Sequence, residues 1–182
     1  MNTFQQIASF LLNTVFGIYI VAVLLRFFLQ WVKADFYNPV CQILIKVTNP
    51  LLKPLRKVIP GIFGLDCAAL VLAIILQGIL VALMCWVADI PFEPYFFALA
   101  VVISLVKLIL HLYFFLIIIR VLMSWFTNPY QQNPIAVVIQ LTEPILRPAR
   151  RLIKPIGGVD LSPLVMLIAI QVVIIIVSNL VL

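Results

Sequence analysis

Six basic side chains form two matching triplets, and their surroundings suggest their chemistry. Lys53, Arg56 and Lys57 lie around Pro50 and Pro54, and Arg147, Arg150 and Arg151 lie in the same way around Pro144 and Pro148. Cations held over apolar anchors suit a negatively charged lipid leaflet, where each contributes on the order of 1 kcal/mol. Two readings stand side by side. In one the charges only set membrane topology; in the other they form a shaped surface that binds anionic headgroups or a protein partner. The paired prolines favour the second, because topology alone needs no proline framework. Nucleic-acid binding is not expected, since the basic residues are concentrated beside apolar runs.

The remaining polar residues that could do chemistry lie within or beside those runs. Lys107 and His111 are four apart, on one face of a helix. Charge in hydrocarbon is costly and usually faces a cavity or a partner, so the pair reads either as structural or as part of an ion or proton path. Gln77 and Gln171 fall near mid-membrane, where amides most often join helices by hydrogen bonds. Arg26 and Arg120 each precede a tryptophan, Trp31 and Trp125, by five residues. Their guanidinium groups are expected to snorkel to lipid phosphate, with pairing inside the bundle as the rival. Asp66 and Asp160 stand where spans begin and read as helix N-caps, with a salt bridge to Arg26 or Arg120 as the alternative.

Catalysis is not expected. There is no Cys-His or Ser-His-Asp combination at suggestive spacing, no phosphate-cradling glycine run and no carboxylate pair within a span. The three cysteines, Cys41, Cys67 and Cys85, lack paired spacing, and one histidine completes no recognised metal motif. No cofactor or metal is anticipated.

What must position these groups is a membrane. Hydrophobic residues make up 65% of the 182 positions and charged residues 10%, against roughly 45–50% and 25% in soluble domains. Four continuous apolar stretches are long enough for transmembrane helices: about Phe4 to Trp31, Asp66 to Val87, Tyr95 to Trp125 and Asp160 to Leu182. The N-terminus lacks a cationic flank and cleavage site, so its apolar run reads as a retained span. The first connection carries Lys33, Lys46, Lys53, Arg56 and Lys57, and the third carries Arg147, Arg150, Arg151 and Lys154. The middle one carries only Asp89 and Glu93. Lys/Arg excess marks the cytoplasmic side, so both basic loops are expected inside and both termini outside.

The chain also repeats itself at an offset of 94 positions. Arg26 meets Arg120, Thr48 meets Thr142, Pro50 to Ile59 meets Pro144 to Ile153, and Asp66 meets Asp160. Two spans separate the basic loops, so the repeats, 1–94 and 95–182, should share one orientation in the membrane. The expected fold is an all-α membrane protein: four transmembrane helices as two parallel repeats. Each repeat holds an amphipathic hairpin between its spans, broken by prolines and lying in the cytoplasmic interface.

The repeated pattern Arg-x4-Trp, Asn-Pro, Thr-x-Pro-x-Leu-basic-Pro-x-Arg-basic-x-Ile and a following Asp resembles the YggT family, also called the YlmG or CCB3-like family. It reads here as Arg26, Trp31, Asn38-Pro39, Thr48 to Ile59 and Asp66, then as Arg120, Trp125, Asn133-Pro134, Thr142 to Ile153 and Asp160. Two irregularities accompany it: the second Asn-Pro is displaced by one residue, and Glu143 replaces Asn49. The resemblance implies a small integral inner-membrane protein of bacterial type, with links to osmotic-stress tolerance, division or the assembly of a membrane complex. It implies no catalytic residue. The expected function is a scaffold or assembly factor contacting lipids and other membrane proteins. The alternative is an oligomeric ion channel or transporter, and a homo-oligomer is compatible with both.

Overall fold

The computed structural model describes residues 2–61, 64–124, 135–152 and 160–180. Among these are six helices and no strand: α1 (Thr3–Trp31), α2 (Pro39–Val58), α3 (Cys67–Ala88), α4 (Pro94–Ser124), α5 (Ile135–Leu152) and α6 (Ser162–Ser178). Trp125, Asn133, Pro134 and Ile153, all part of the sequence pattern, and Lys154 of the third connection lie outside the described residues.

Three helices are long and apolar enough to cross a membrane: α1, α3 and α4, of 29, 22 and 31 residues. At about 1.5 Å per residue each exceeds a hydrocarbon core of about 30 Å. The fourth apolar helix, α6, has 17 residues, or about 25 Å, short of the length expected for Asp160 to Leu182. Local chemistry sets the ends. Asp89 adopts a left-handed conformation (φ 56°) that stops α3. Gly64 turns the chain into α3 with φ 80°, a value a side chain would resist, and its carbonyl accepts from Gln30 Nε2 at 3.2 Å.

The basic connections differ from expectation. α2 is one continuous amphipathic helix of 20 residues with Pro50 and Pro54 inside it, and α5 likewise contains Pro144 and Pro148. The prolines do not divide either into a hairpin. An interior proline removes one backbone hydrogen bond and bends the helix, at a cost of about 3 kcal/mol, and tertiary contacts offset that here. Asn38 caps α2 by accepting from the Val40 amide at 3.0 Å, just before Pro39 at the first helical position. Cys41, Thr48 and Leu52 are buried along one side of the helix. Side chains of α1 reach carbonyls in the turn before Pro50: Tyr19 Oη donates to Val47 O at 3.3 Å and Arg26 to Ile45 O at 3.4 Å.

The long helices follow one another in a row, α1 on α3, α3 on α4 and α4 on α6, with a smaller direct contact of α1 on α4 through Phe28 and Tyr113. α2 packs across α1 and α3, and α5 across α4 and α6 with a smaller contact to α1. The core runs through this row, from Ile20, Val23 and Leu24 through Ala69, Leu72 and Ala73 to Ile117 and Ile170.

Candidate functional site

Each amphipathic helix is fastened to its repeat by the same two polar locks. Arg26, buried on α1, donates from Nη1 to Thr48 Oγ1 at 2.6 Å and to Asn49 Oδ1 at 2.8 Å. Thr48, fully buried, donates its own proton to Leu44 O at 2.6 Å. In the second repeat Arg120 donates to Thr142 Oγ1 and to Glu143 Oε2, both at 2.8 Å, and Thr142 donates to Val138 O at 2.7 Å. Both arginines thus make the pairing inside the bundle that stood as the rival to snorkelling. A threonine hydroxyl, an acceptor on its neighbour and a helix carbonyl meet each guanidinium, and hydrogen bonds to a charged donor are the strong kind.

The second lock ties the end of the basic helix to the start of the next apolar one. Arg56 pairs with Asp66, its Nε lying 3.3 Å from Oδ1, and Oδ1 also accepts from the Ala69 amide at the N-terminus of α3. Asp66 thus acts as the expected N-cap, and its ionic partner is Arg56 rather than Arg26. Asp160 repeats the ion pair but not the expected cap, because Leu161 is the N-cap residue of α6 and Asp160 stands one position before it. It accepts from Arg150 Nε at 2.8 Å and from the Ser162 amide at 2.9 Å. Burial alone would raise the Asp160 pKa, but the hydrogen bonds from Ser162 and Arg150 outweigh it and hold the carboxyl below its ordinary range. The exchange of Asn49 for Glu143 also has a structural consequence. Glu143 bridges Arg120 to Arg150, at 2.8 and 3.3 Å, so the two locks of the second repeat join into one chain ending at Asp160.

One member of each basic triplet is therefore spent internally, Arg56 in one and Arg150 in the other. Lys53, Lys57, Arg147 and Arg151 are exposed and make no ion pair among the described residues. They share their surface with exposed Leu51, Val58 and Leu152, so each helix presents free cations next to apolar side chains.

A separate polar region lies in the row itself. Lys107 and His111 line a cleft of about 240 Å³ with Asn13, Gly17, Gln77 and Ser104. His111 Nδ1 lies 2.8 Å from the Lys107 carbonyl, which fixes it as the donor nitrogen. The counterparts of Lys107 and His111 in the first repeat are Asn13 and Gly17, so both pairs face one cleft over α3. Sequence reasoning does not anticipate this meeting, although the 94-residue offset contains it. The two glutamines part company: Gln77 is buried at the cleft and Gln171 is exposed.

Helices of membrane-spanning length joined by duplicated, polar-locked amphipathic helices define the class: a duplicated all-helical membrane protein. A CCB3/YggT family model matches residues 5–87 and again 99–181, at the same 94-residue offset as the locks, and the chain belongs to that family. It is 41% identical over 175 residues to an uncharacterised protein of Pseudomonas aeruginosa, covering 94% of this chain and 88% of the relative. It is 39% identical over 174 residues to the uncharacterised protein YggT of Escherichia coli K12, covering 95% and 88%. The chloroplast protein CCB3 of Arabidopsis thaliana, whose name refers to cofactor assembly of complex C, is 42% identical over 52 residues, 28% of this chain and 30% of that one. No solved structure matches the chain.

Proposed function

We propose that this chain is a non-enzymatic scaffold or assembly factor of the bacterial inner membrane, working through its two basic amphipathic helices. In this reading α1, α3, α4 and α6 all span the bilayer, and the repeats share one orientation. α2 and α5 then lie along the cytoplasmic leaflet, with both termini on the periplasmic side. The observation that carries the proposal is the duplicated lock. Charges that only set topology need no fixed geometry, yet each basic helix is held at two points, through Arg26–Thr48 and Arg56–Asp66 in one repeat and Arg120–Thr142 and Arg150–Asp160 in the other. The locks leave Lys53 and Lys57, and Arg147 and Arg151, free to meet anionic headgroups or an acidic partner surface. The chloroplast relative, named for assembly, points the same way. Links to osmotic tolerance and division fit a protein that holds envelope components together.

The test replaces Lys53, Lys57, Arg147 and Arg151 with Gln and leaves Arg56 and Arg150 intact. Two charges at about 1 kcal/mol each make a headgroup bind about 30-fold more weakly, read as loss of bound phosphatidylglycerol in native mass spectrometry. In-cell crosslinking from residues 53 and 147 should capture a defined membrane complex that the variant loses. Unchanged lipid occupancy and unchanged crosslinks with intact insertion would reject the proposal.

The cleft holding Lys107, His111 and Gln77 favours the second reading, an oligomeric ion channel or transporter. Its test is ion flux in proteoliposomes: a Lys107→Met, His111→Ala protein conducting like the parent would eliminate it.

A further inference from the structure

The two repeats have the same sequence pattern but unequal neighbours, and the inequality has a direction. The second span of the first repeat, α3, packs on the first span of the second, α4. The equivalent contact the other way round, α6 on α1, has no comparable packing among the described residues. Likewise α5 reaches back to α1, whereas no comparable contact joins α2 to α4. Apart from a smaller contact of α1 with its counterpart α4, the contact between repeats is therefore heterologous. It leaves one unused face at each end of the row, and such a contact closes only by adding further repeats.

Burial at equivalent positions traces those unused faces. On α4, Val101 and Leu105 are 7% and 8% exposed, while their counterparts on α1, Ile7 and Leu11, are 55% and 54% exposed. Leu112 is buried and its counterpart Ile18 is exposed. The three α1 positions lie at i, i+4 and i+11, on one stripe of the helix. The amphipathic helices repeat the contrast: Val137 and Leu141 of α5 are buried, whereas Ile43 and Val47 of α2 are exposed. At the other end of the row, Gln77 and Val81 face Ala100 and Ser104 of α4 across a cleft, while their counterparts Gln171 and Ile175 on α6 are exposed. Gln171 is thus a mid-span amide facing outward and without a hydrogen-bond partner among the described residues, a costly position in hydrocarbon.

We propose that copies of this chain associate head to tail, α6 of one copy packing on α1 of the next and α2 of that next copy packing back on α4 of the first. Every exposed position named above then acquires the neighbour that its counterpart already has inside the chain. The partner is a second copy because the complementary surface is encoded in the same chain: the face of α4 that accepts α3 is repeated on α1. Gln171 would meet the α1 surface around Phe10 and Thr14, as Gln77 meets their counterparts Ser104 and Leu108. Thr14 is exposed and polar at that level, so the amide would gain a hydrogen-bonding neighbour.

The experiment uses the full chain in native membranes, with Cys41, Cys67 and Cys85 replaced by Ala. Phe10→Cys and Gln171→Cys are made singly, on chains with different tags, and treated with a short bismaleimide. A covalent dimer is expected only when the two are co-expressed, joining one tag to the other, with each single variant alone remaining uncrosslinked. Failure of the mixture to crosslink, with both chains inserted, would overturn the proposal. Self-crosslinking of Gln171→Cys would also overturn it, because that requires a two-fold contact of α6 with itself. Native mass spectrometry of the unmodified chain guards against variants that misfold: a multimer is expected, and a monomer released from mild detergent would be decisive against it.

Discussion

Thr48→Val tests the physical basis of the locks, because it removes a hydroxyl and keeps the shape. Thr48 is fully buried and accepts from the Arg26 guanidinium at 2.6 Å. A hydrogen bond to a charged group is worth about 1.5–3 kcal/mol net. Arg26 keeps Asn49 Oδ1 and Ile45 O as acceptors, so the low end of that range applies, about 1.5–2 kcal/mol. For a chain of this size, 1 kcal/mol moves the midpoint by about 2–4 °C, so Tm in detergent should fall by roughly 3–8 °C. A double-mutant cycle with Arg26→Met isolates the pair and should give a coupling above about 1 kcal/mol. The equivalent Thr142→Val should cost less, because Arg120 retains the ionised Glu143 at 2.8 Å. Equal stability of Thr48→Val and the parent, or a larger loss for Thr142→Val, would show that the hydroxyl does not hold the helix.

The two aspartates should respond unequally: Asp66→Ala strips a buried cap and the Arg56 pair and should destabilise by about 2 kcal/mol or more, while Asp160→Ala, at a half-exposed site, should cost a fraction of that, as thermal melts will show. The depressed Asp160 pKa sets a sign for acid stability. The folded state holds this proton less tightly than the unfolded chain, so the contribution is fully present above about pH 4 and fades as pH falls through the lowered folded value. Asp160→Ala should flatten the Tm decline measured between pH 5 and 3, and an unchanged decline would sink the assignment. A Cβ added at Gly17 meets nothing within 4 Å, so Gly17→Ala should keep the fold and gain up to about 1 kcal/mol in helix propensity; a lower Tm would show that the cleft needs the gap.

Much of the helical framework is readable from apolar runs. The expected starts and ends of the first three spans fall within a residue or two of α1, α3 and α4, because Asp66, Asp89 and Pro94 carry local stop and start chemistry. The basic connections are less legible. Pro50 and Pro54 argue locally for breaks, and the burial of Thr48 and Leu52 where α2 packs across α1 and α3 is tertiary information that no local reading holds. The threonines are visible as a match between repeats, yet their role is not, since nothing local shows that Thr48 lies beneath Arg26. A polar residue repeated on the buried side of an amphipathic helix is the available signal. Asp66 and Asp160 do sit at helix starts, as their residue type suggests, but their ionic partners sit ten residues upstream in α2 and α5. Lys107 and His111 look foreign to the repeat because Asn13 and Gly17 share no chemistry with them. Position, not residue type, brings the four together.

The parallel placement of two basic helices on one membrane face is the claim from which the proposed function follows, and cysteine labelling tests it most directly. With Cys41, Cys67 and Cys85 replaced by Ala, Lys53→Cys and Arg147→Cys are exposed to a membrane-impermeant maleimide in intact spheroplasts and in inverted inner-membrane vesicles. Both should remain unlabelled in spheroplasts and become labelled in the vesicles. Labelling of the two positions from opposite sides, or of both from the periplasmic side, would contradict the account.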